Sequence, residues 1–275
     1  MNTTSHKPYK LNSKQIHLLK LIHKFRFVNT LLLSKYRDKT ETTSTYLVLK
    51  ILLREKYIDR YYNGSYKLAG KPATYFLTRK GLDLLRDEHE YIPALLTPQY
   101  KNKSVGNDFV EHNLEVMQAF LSLRASYPDT FHIFTRPDLG EFDYFPKPSP
   151  DFYLNRIKPS DSLTNEYLLD IFTDPQLFVI RKRINAYIEH FQSGDWEATT
   201  KTDYPGVLIV CPNSRLEERL AKQIVRALDS IGETDLLFYT TTLKALLNSD
   251  KNNNHMWTQV FEEDELVSLS EIIIK

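Results

Sequence analysis

Four consecutive apolar residues, Val207-Leu208-Ile209-Val210, constrain the fold of this chain more than any other segment. A short, wholly apolar run marks a strand buried on both faces, which calls for a sheet covered by helices. The flanking periodicity supplies those helices. Leu177, Ile180, Ile184, Tyr187, Ile188 and Phe191 mark one face of a long helix before the run; a helix over 214–228 and a strand over 236–239 follow it. Upstream, Val110, Leu114, Met117, Phe120 and Leu121 give an apolar stripe to a helix that starts near Asp108 and ends near Pro128. Residues 131–135 read as a strand. A segment with Pro146, Pro148 and Pro150 then leads into Asp151-Phe152-Tyr153-Leu154, and 167–172 forms an apolar-rich strand interrupted by Asp170. The order predicts an α/β domain with a mixed sheet.

The first 90 residues have a different rhythm. Ser13 is placed to cap a helix running to about His23, with Ile16, Leu18, Leu19 and Ile22 as its stripe. A short helix fits 30–35, and a third fits 42–56 with core candidates Val48, Leu49, Leu52 and Leu53. The period then changes: 58–62 reads as a strand, Asn63-Gly64 as a turn and 74–77 as the returning strand. Thr78 is placed to cap a last helix carrying Leu82 and Leu85. Three short helices followed by a hairpin is the order of a winged helix-turn-helix, whose recognition helix enters the major groove by its amino-terminal half. That half here is Thr42, Thr43, Ser44, Thr45 and Tyr46, with Lys39 just before it and Lys50 and Arg54 away from the apolar stripe. The wing, 66–72, adds Lys67 and Lys71. These residues are the DNA-contact candidates; the alternative is a set of solvated lysines on a protein-interaction module. His17 and His23 read as helix-surface residues, since neither has a partner at metal-ligand spacing.

Charge divides the chain in the same way. Its net charge of +1 comes from 36 Lys and Arg against 35 Asp and Glu. Residues 1–90 carry 18 basic and 8 acidic side chains, a balance of +10, and residues 91–275 carry 18 and 27, a balance of −9. A basic segment of this size suggests a polyanionic partner, whereas the acidic remainder repels phosphate. The expected division is a winged-helix DNA-binding domain over 11–90, a linker over 91–107 with Pro93, Pro98 and a Lys101-Asn102-Lys103-Ser104 cluster, an α/β domain over 108–250, and a tail over 251–275. That tail, with Trp257, the acidic cluster Glu262-Glu263-Asp264-Glu265 and Ile272-Ile273-Ile274, reads either as a final strand or as a docking segment. The single cysteine, Cys211, excludes an intramolecular disulfide. The opening MNTTSHKPYKLNSK has no apolar core of a signal peptide, and no run approaches the roughly 18 apolar residues of a membrane span, so a cytoplasmic protein is expected. There is no P-loop, GxGxxG, HExxH or GxSxG.

A helix, a meander carrying Pro-Asp, a strand carrying an acid, a helix and a further strand resemble the PD-(D/E)xK nuclease-like core. Joined to an amino-terminal winged helix, this layout resembles the replication-relaxation family of plasmids and other mobile elements. The stretches that carry the resemblance are LLREKYIDRYYNGSYKLAGKPATYFLTRKGLDLL, EHNLEV, PSPDFYL, NEYLLDIFTD, RKRINAYIEHF and YPGVLIVCPN. It implies an α/β multidomain protein that binds double-stranded DNA as an accessory to replication, relaxation or mobilisation, its acidic domain contacting replication or mobilisation proteins or assembling copies of itself. A nuclease of this class needs two carboxylates converging on a hard cation such as Mg²⁺, with a lysine to orient or activate the water. Asp151 fits the first carboxylate and Asp170 the second, with Glu111 as an accessory acid and Lys182 as a migrated lysine. The motif's own lysine position holds Phe172. Lys182 lies about 200° around the helix from Ile180, whereas Arg183 is nearer the stripe and suits a salt bridge more than proton transfer. The expectation is therefore a DNA-binding protein without catalysis and without a cofactor. A metal-dependent endonuclease, with Asp151 and Asp170 as metal ligands, and a winged-helix transcription regulator are the alternatives.

Overall fold

The computed structural model describes residues 10–275 apart from 63, 88–90, 92, 174–175, 233–234 and 273–275. The chain is a multidomain α/β protein that divides into two compact units, Met1–Leu114 and Glu115–Lys275.

The first unit runs α1 (Ser13–Phe25), β1 (Val28–Asn29), α2 (Thr30–Tyr36), α3 (Thr43–Arg54), β2 (Ile58–Tyr61), α4 (Gly64–Leu68), β3 (Thr74–Leu77), α5 (Arg79–Asp87), α6 (Pro93–Leu96) and a 3₁₀ helix, Thr97–Ser104. α7 (Asn107–Ser126) begins in this unit. β3 is the centre of a three-stranded antiparallel sheet, pairing with β2 from Ile58↔Leu77 to Tyr61↔Thr74 and with β1 at Val28↔Tyr75. Asn12, not Ser13, caps α1: its side chain accepts from the Gln15 amide at 3.0 Å while Gln15 Oε1 accepts from the Asn12 amide at 2.9 Å, a reciprocal capping box. Asn29 caps α2 in the same manner, accepting from the Leu32 amide at 2.9 Å. Thr78 Oγ1 accepts from the Gly81 amide at 3.3 Å, and Leu82 and Leu85 of α5 are buried.

Three expectations are corrected here. His23 is buried, its ring edge-on to Tyr91 with centroids 4.5 Å apart, because α1 continues past it to Phe25. The stretch read as a linker carries α6 and the 3₁₀ helix, and its polar residues serve the first unit: Gln99 Nε2 donates to the His23 carbonyl at 2.9 Å, Arg26 Nε to Asn102 Oδ1 at 2.7 Å, and the Tyr61 hydroxyl to the Asn102 carbonyl at 2.6 Å. Prolines and polar side chains mimic a linker in sequence, but here the Gln99 side chain satisfies a backbone carbonyl and Asn102 anchors Arg26 and Tyr61. The Asn63-Gly64 turn opens a short helix, α4, in place of a plain loop; Asn63 itself lies outside the described residues.

The second unit takes in the rest of α7, then β4 (Phe131–Thr135), a 3₁₀ turn (Arg136–Leu139), β5 (Phe152–Arg156), β6 (Glu166–Ile171), α8 (Leu177–Ser193), α9 (Asp195–Thr200), β7 (Gly206–Cys211), α10 (Ser214–Ile231), β8 (Phe238–Thr242), α11 (Leu243–Leu247), β9 (Trp257–Gln259) and β10 (Glu262–Val267). These strands form one seven-stranded mixed sheet ordered β10-β9-β8-β7-β6-β5-β4. β4, β5 and β6 are an antiparallel meander, β6, β7 and β8 run parallel, and β9 and β10 return antiparallel. The whole of β7 is buried, as a central strand with both faces covered must be. Alternate residues Val207, Ile209 and Cys211 join a core with Ile184 and Tyr187 of α8 and with Leu220, Ile224 and Leu228 of α10. On α7, Phe120 meets Phe152 with ring centroids 6.2 Å apart. Gly194 joins α8 to α9 at φ 68°, a left-handed conformation that a Cβ disfavours. Of the two readings of the tail, the strand reading holds, since β9 and β10 extend the sheet and Trp257 is fully buried. The side chains of Glu262, Glu263 and Asp264, and all of Ile273 and Ile274, lie outside the described residues.

Candidate functional site

Two groups of charged residues carry the chemistry, one in each unit. In the first, α3 buries Thr45, Leu49 and Leu52, at spacings of four and three, so its opposite side faces solvent. Thr43, Tyr46, Lys50 and Arg54 stand on that exposed side, and α3 contains no acidic residue. Leu47, 53% exposed, stands among them. Lys39 and Thr42, before the helix, are also exposed. Thr45 departs from the expected groove-facing hydroxyls. Its Oγ1 accepts from Ser34 at 2.9 Å and from Arg37 Nη1 at 3.2 Å, locking α3 onto α2 from inside. Val48 and Leu53 are only half-buried, so the core stripe is narrower than the sequence suggests.

The cations differ in how they are held. Arg54 Nε lies 2.9 Å from Glu55 Oε1, with the arginine side chain 68% exposed. Lys67 lies over the Tyr62 ring at 5.5 Å from its centroid, and Arg60 approaches the same ring at 5.4 Å. Lys71 Nζ donates to Glu111 Oε1 at 2.6 Å, and this bond holds the lysine pKa above its ordinary value. Glu111, taken from sequence as an accessory nuclease acid, thus belongs to the first unit and pairs with a basic residue of the β2–β3 connection. Leu47, Arg60 and Tyr62 were not among the contact candidates read from sequence, whereas Leu68 lies inside the wing read over 66–72; the signal for Arg60 and Tyr62 is their closeness to Asn63-Gly64.

In the second unit, Asp151 and Asp170 do come together. Each is only 4% exposed, and the Asp151 amide donates to Asp170 Oδ1 at 3.3 Å. Asp151 Oδ2 accepts from the Ile171 amide at 2.9 Å and Oδ1 from Arg136 Nη2 at 2.9 Å. Asp170 Oδ2 accepts from Arg183 Nε and, at 2.8 Å, from the Tyr187 hydroxyl. Arg183 Nη2 donates to that same hydroxyl at 2.8 Å. Burial works to lower the Arg183 pKa, but Asp170, with Tyr187 and Asp151, holds it above its ordinary value. All four carboxylate oxygens therefore accept from protein donors, and two guanidiniums balance two carboxylates. A divalent cation shared by both acids would have to compete with Arg136 and Arg183 for these oxygens. Among the described residues, no group of three or more His, Cys, Asp or Glu is placed to hold a metal ion.

Lys182 is exposed, and Phe172 is 8% exposed in the core with Leu168, Ile180 and Ile184. Glu115, four residues beyond Glu111 and inside the EHNLEV stretch, is an acid that sequence reasoning passed over; its Oε2 accepts from Thr173 Oγ1 at 2.8 Å. The Cys211 thiol is buried, which pushes its pKa up to about 12 and leaves it a packing residue.

The protein is thus an α/β protein of two units, with an exposed cationic helix in one and a buried acid–arginine network in the other. Residues 19–141, a little under half of the chain, match the replication-relaxation family. The match takes in α3, the three-stranded sheet and Glu111, and ends before Asp151. Comparisons with curated proteins and with solved structures gave no match. Among the described residues, no helix is long and apolar enough to cross a membrane.

Proposed function

We propose that the first unit is a winged helix that binds duplex DNA, and that the protein serves replication, relaxation or mobilisation of a plasmid or other mobile element as a non-catalytic accessory. One observation carries this reading: the solvent face of α3 offers hydroxyl, aromatic and cationic groups with no carboxylate on the helix. Thr43, Tyr46 and Lys50 enter the groove, while Lys39, Arg54, Lys67 and Lys71 contact phosphates. The match of residues 19–141 to the replication-relaxation family supports the biological setting. The guanidiniums that neutralise Asp151 and Asp170 support the lack of catalysis.

The test uses the full chain and a labelled duplex, with binding followed by fluorescence anisotropy across a salt series. Affinity falls steeply with salt because cations that meet phosphates release counterions. Replacing Lys50, Arg54, Lys67 and Lys71 together by Ala lowers the salt slope by about one for each phosphate no longer neutralised and leaves unfolding stability within about 0.5 kcal/mol. Salt-independent or absent binding by the wild type sinks the reading. Incubation of supercoiled DNA with the protein and Mg²⁺ or Mn²⁺ tests the second half: cleavage that a chelator abolishes promotes the endonuclease alternative.

A further inference from the structure

Leu68 is the most exposed large apolar side chain among the described residues, 92% open to solvent. It ends α4, in the connection between β2 and β3, so no core reaches it. Cations surround its base: Lys67 precedes it, Arg60 and Lys67 both lie over the Tyr62 ring, and Lys71 follows three residues on. The turn behind it is closed by two backbone bonds, Gly70 N–H to the Lys67 carbonyl at 3.1 Å and Lys71 N–H to the Tyr66 carbonyl at 2.9 Å. Gly70 sits at φ 62°, which a residue with a Cβ adopts only under strain. The result is an apolar tip held out on a closed base with Arg60 and Lys67 beside it and with Lys71, paired to Glu111, behind it.

A single exposed leucine is ordinary on a protein surface; what distinguishes Leu68 is the cations around it, and that charge selects a polyanion as the ligand. Duplex DNA supplies both halves of the complement. Its phosphates meet the cations, and a base step accepts an apolar side chain when partly unstacked, which kinks the helix by about 20–90°. We propose that Leu68 is a minor-groove wedge, driven into a base step by the β2–β3 connection so that the protein bends the DNA it binds. This rests on the DNA-binding reading above and adds a deformation that α3 alone does not produce.

The experiment separates bending from binding. Ligase-catalysed cyclisation of a mixed-sequence fragment of about 150 base pairs, near one persistence length, reports bending wherever the protein sits. Anisotropy with a short duplex of mixed sequence reports binding. Saturating wild-type protein is expected to raise the cyclisation rate about tenfold, whereas Leu68→Ala binds within about threefold of wild type and leaves cyclisation at the bare-DNA rate. Leu68→Phe, a bulkier apolar wedge, retains the bending. Since the side chain touches no core, these variants fold as the wild type does. Binding by the wild type with no gain in cyclisation overturns the wedge but spares the DNA reading. So does equal bending by Leu68→Ala, or a drop in its affinity beyond about tenfold, which would make Leu68 an ordinary binding or protein-docking residue. Absence of any binding by the wild type overturns both.

Discussion

The two units use basic side chains in opposite ways. On α3 and the β2–β3 connection, Lys50, Arg54 and Lys67 stand in solvent. On α8, Arg183 is buried against Asp170 and Tyr187. A solvated cation gives up little on meeting a phosphate, and the displaced counterions drive the association. A buried guanidinium already bonded to its carboxylate has no such freedom; moving it would expose two charges to a low-dielectric interior. Position, more than charge itself, decides which basic groups are available to a ligand. The family match follows the same line, since it includes the exposed set and stops short of Asp170 and Arg183.

The largest effect tests the buried side. Asp170→Ala leaves Arg183 enclosed without its counter-charge, and an arginine cannot shed its proton to escape. We expect a loss of about 3–5 kcal/mol in urea unfolding. An Asp170→Ala protein as stable as the wild type would break the comparison, because the acid pair would then be free for a ligand.

How much of this is legible in the sequence depends on what has to be known. The apolar periods place α8, α10, β4 and β7 within a few residues, since burial on one or two faces writes itself into the order of side chains. The pairing of Arg183 over Lys182 is also readable, because helical geometry turns residue 183 toward the Ile180–Ile184 stripe and 182 away from it. What stays hidden depends on partners distant in sequence. Thr45 looks like any exposed hydroxyl until Ser34 and Arg37 are beside it. Residues 97–104 look like a linker until Gln99 and Asn102 find backbone and side-chain partners in the first unit. Glu111 looks like an accessory acid because it sits on the helix that precedes Asp151 and Asp170 in the family layout, and only the fold shows Lys71 beside it.

A smaller effect concerns pH, again on the buried side. His190 lies two turns beyond Arg183 on α8, with Nε2 2.9 Å from the Tyr144 carbonyl and Nδ1 2.9 Å from the Tyr204 hydroxyl. A carbonyl only accepts, so Nε2 carries the proton and Nδ1 accepts from Tyr204. Burial lowers the pKa of His190 below its ordinary value. The unfolded chain, with a histidine pKa of about 6.5, then takes up the proton first as pH falls. Stability contributed by the neutral ring is present above that value and is lost as pH drops through it. Urea midpoints between about pH 7.5 and pH 5 should fall further for the wild type than for His190→Gln, which cannot titrate. Parallel curves would mean that the folded chain does not hold the His190 ring neutral.

The smallest effect sharpens the exposed side. Lys71 differs from Lys50 and Lys67 because Glu111 accepts its hydrogen bond at 2.6 Å, and both side chains are about half-exposed, at 51% and 40%. A phosphate that approaches Lys71 must compete with this carboxylate and must also come near its negative charge. Glu111→Gln removes the charge while keeping the shape. An exposed pair of this kind is worth about 0–1 kcal/mol, so the expected result is a gain in duplex affinity of up to about fivefold. The gain should shrink as salt rises, since the repulsion it relieves is screened. The sign is the informative part. Lys71→Ala weakens binding, Glu111→Gln strengthens it, and the double variant binds more tightly than Lys71→Ala alone because the carboxylate left without its lysine no longer repels the phosphates. Weaker binding by Glu111→Gln would mean that the carboxylate positions Lys71 for the phosphate instead of competing for it.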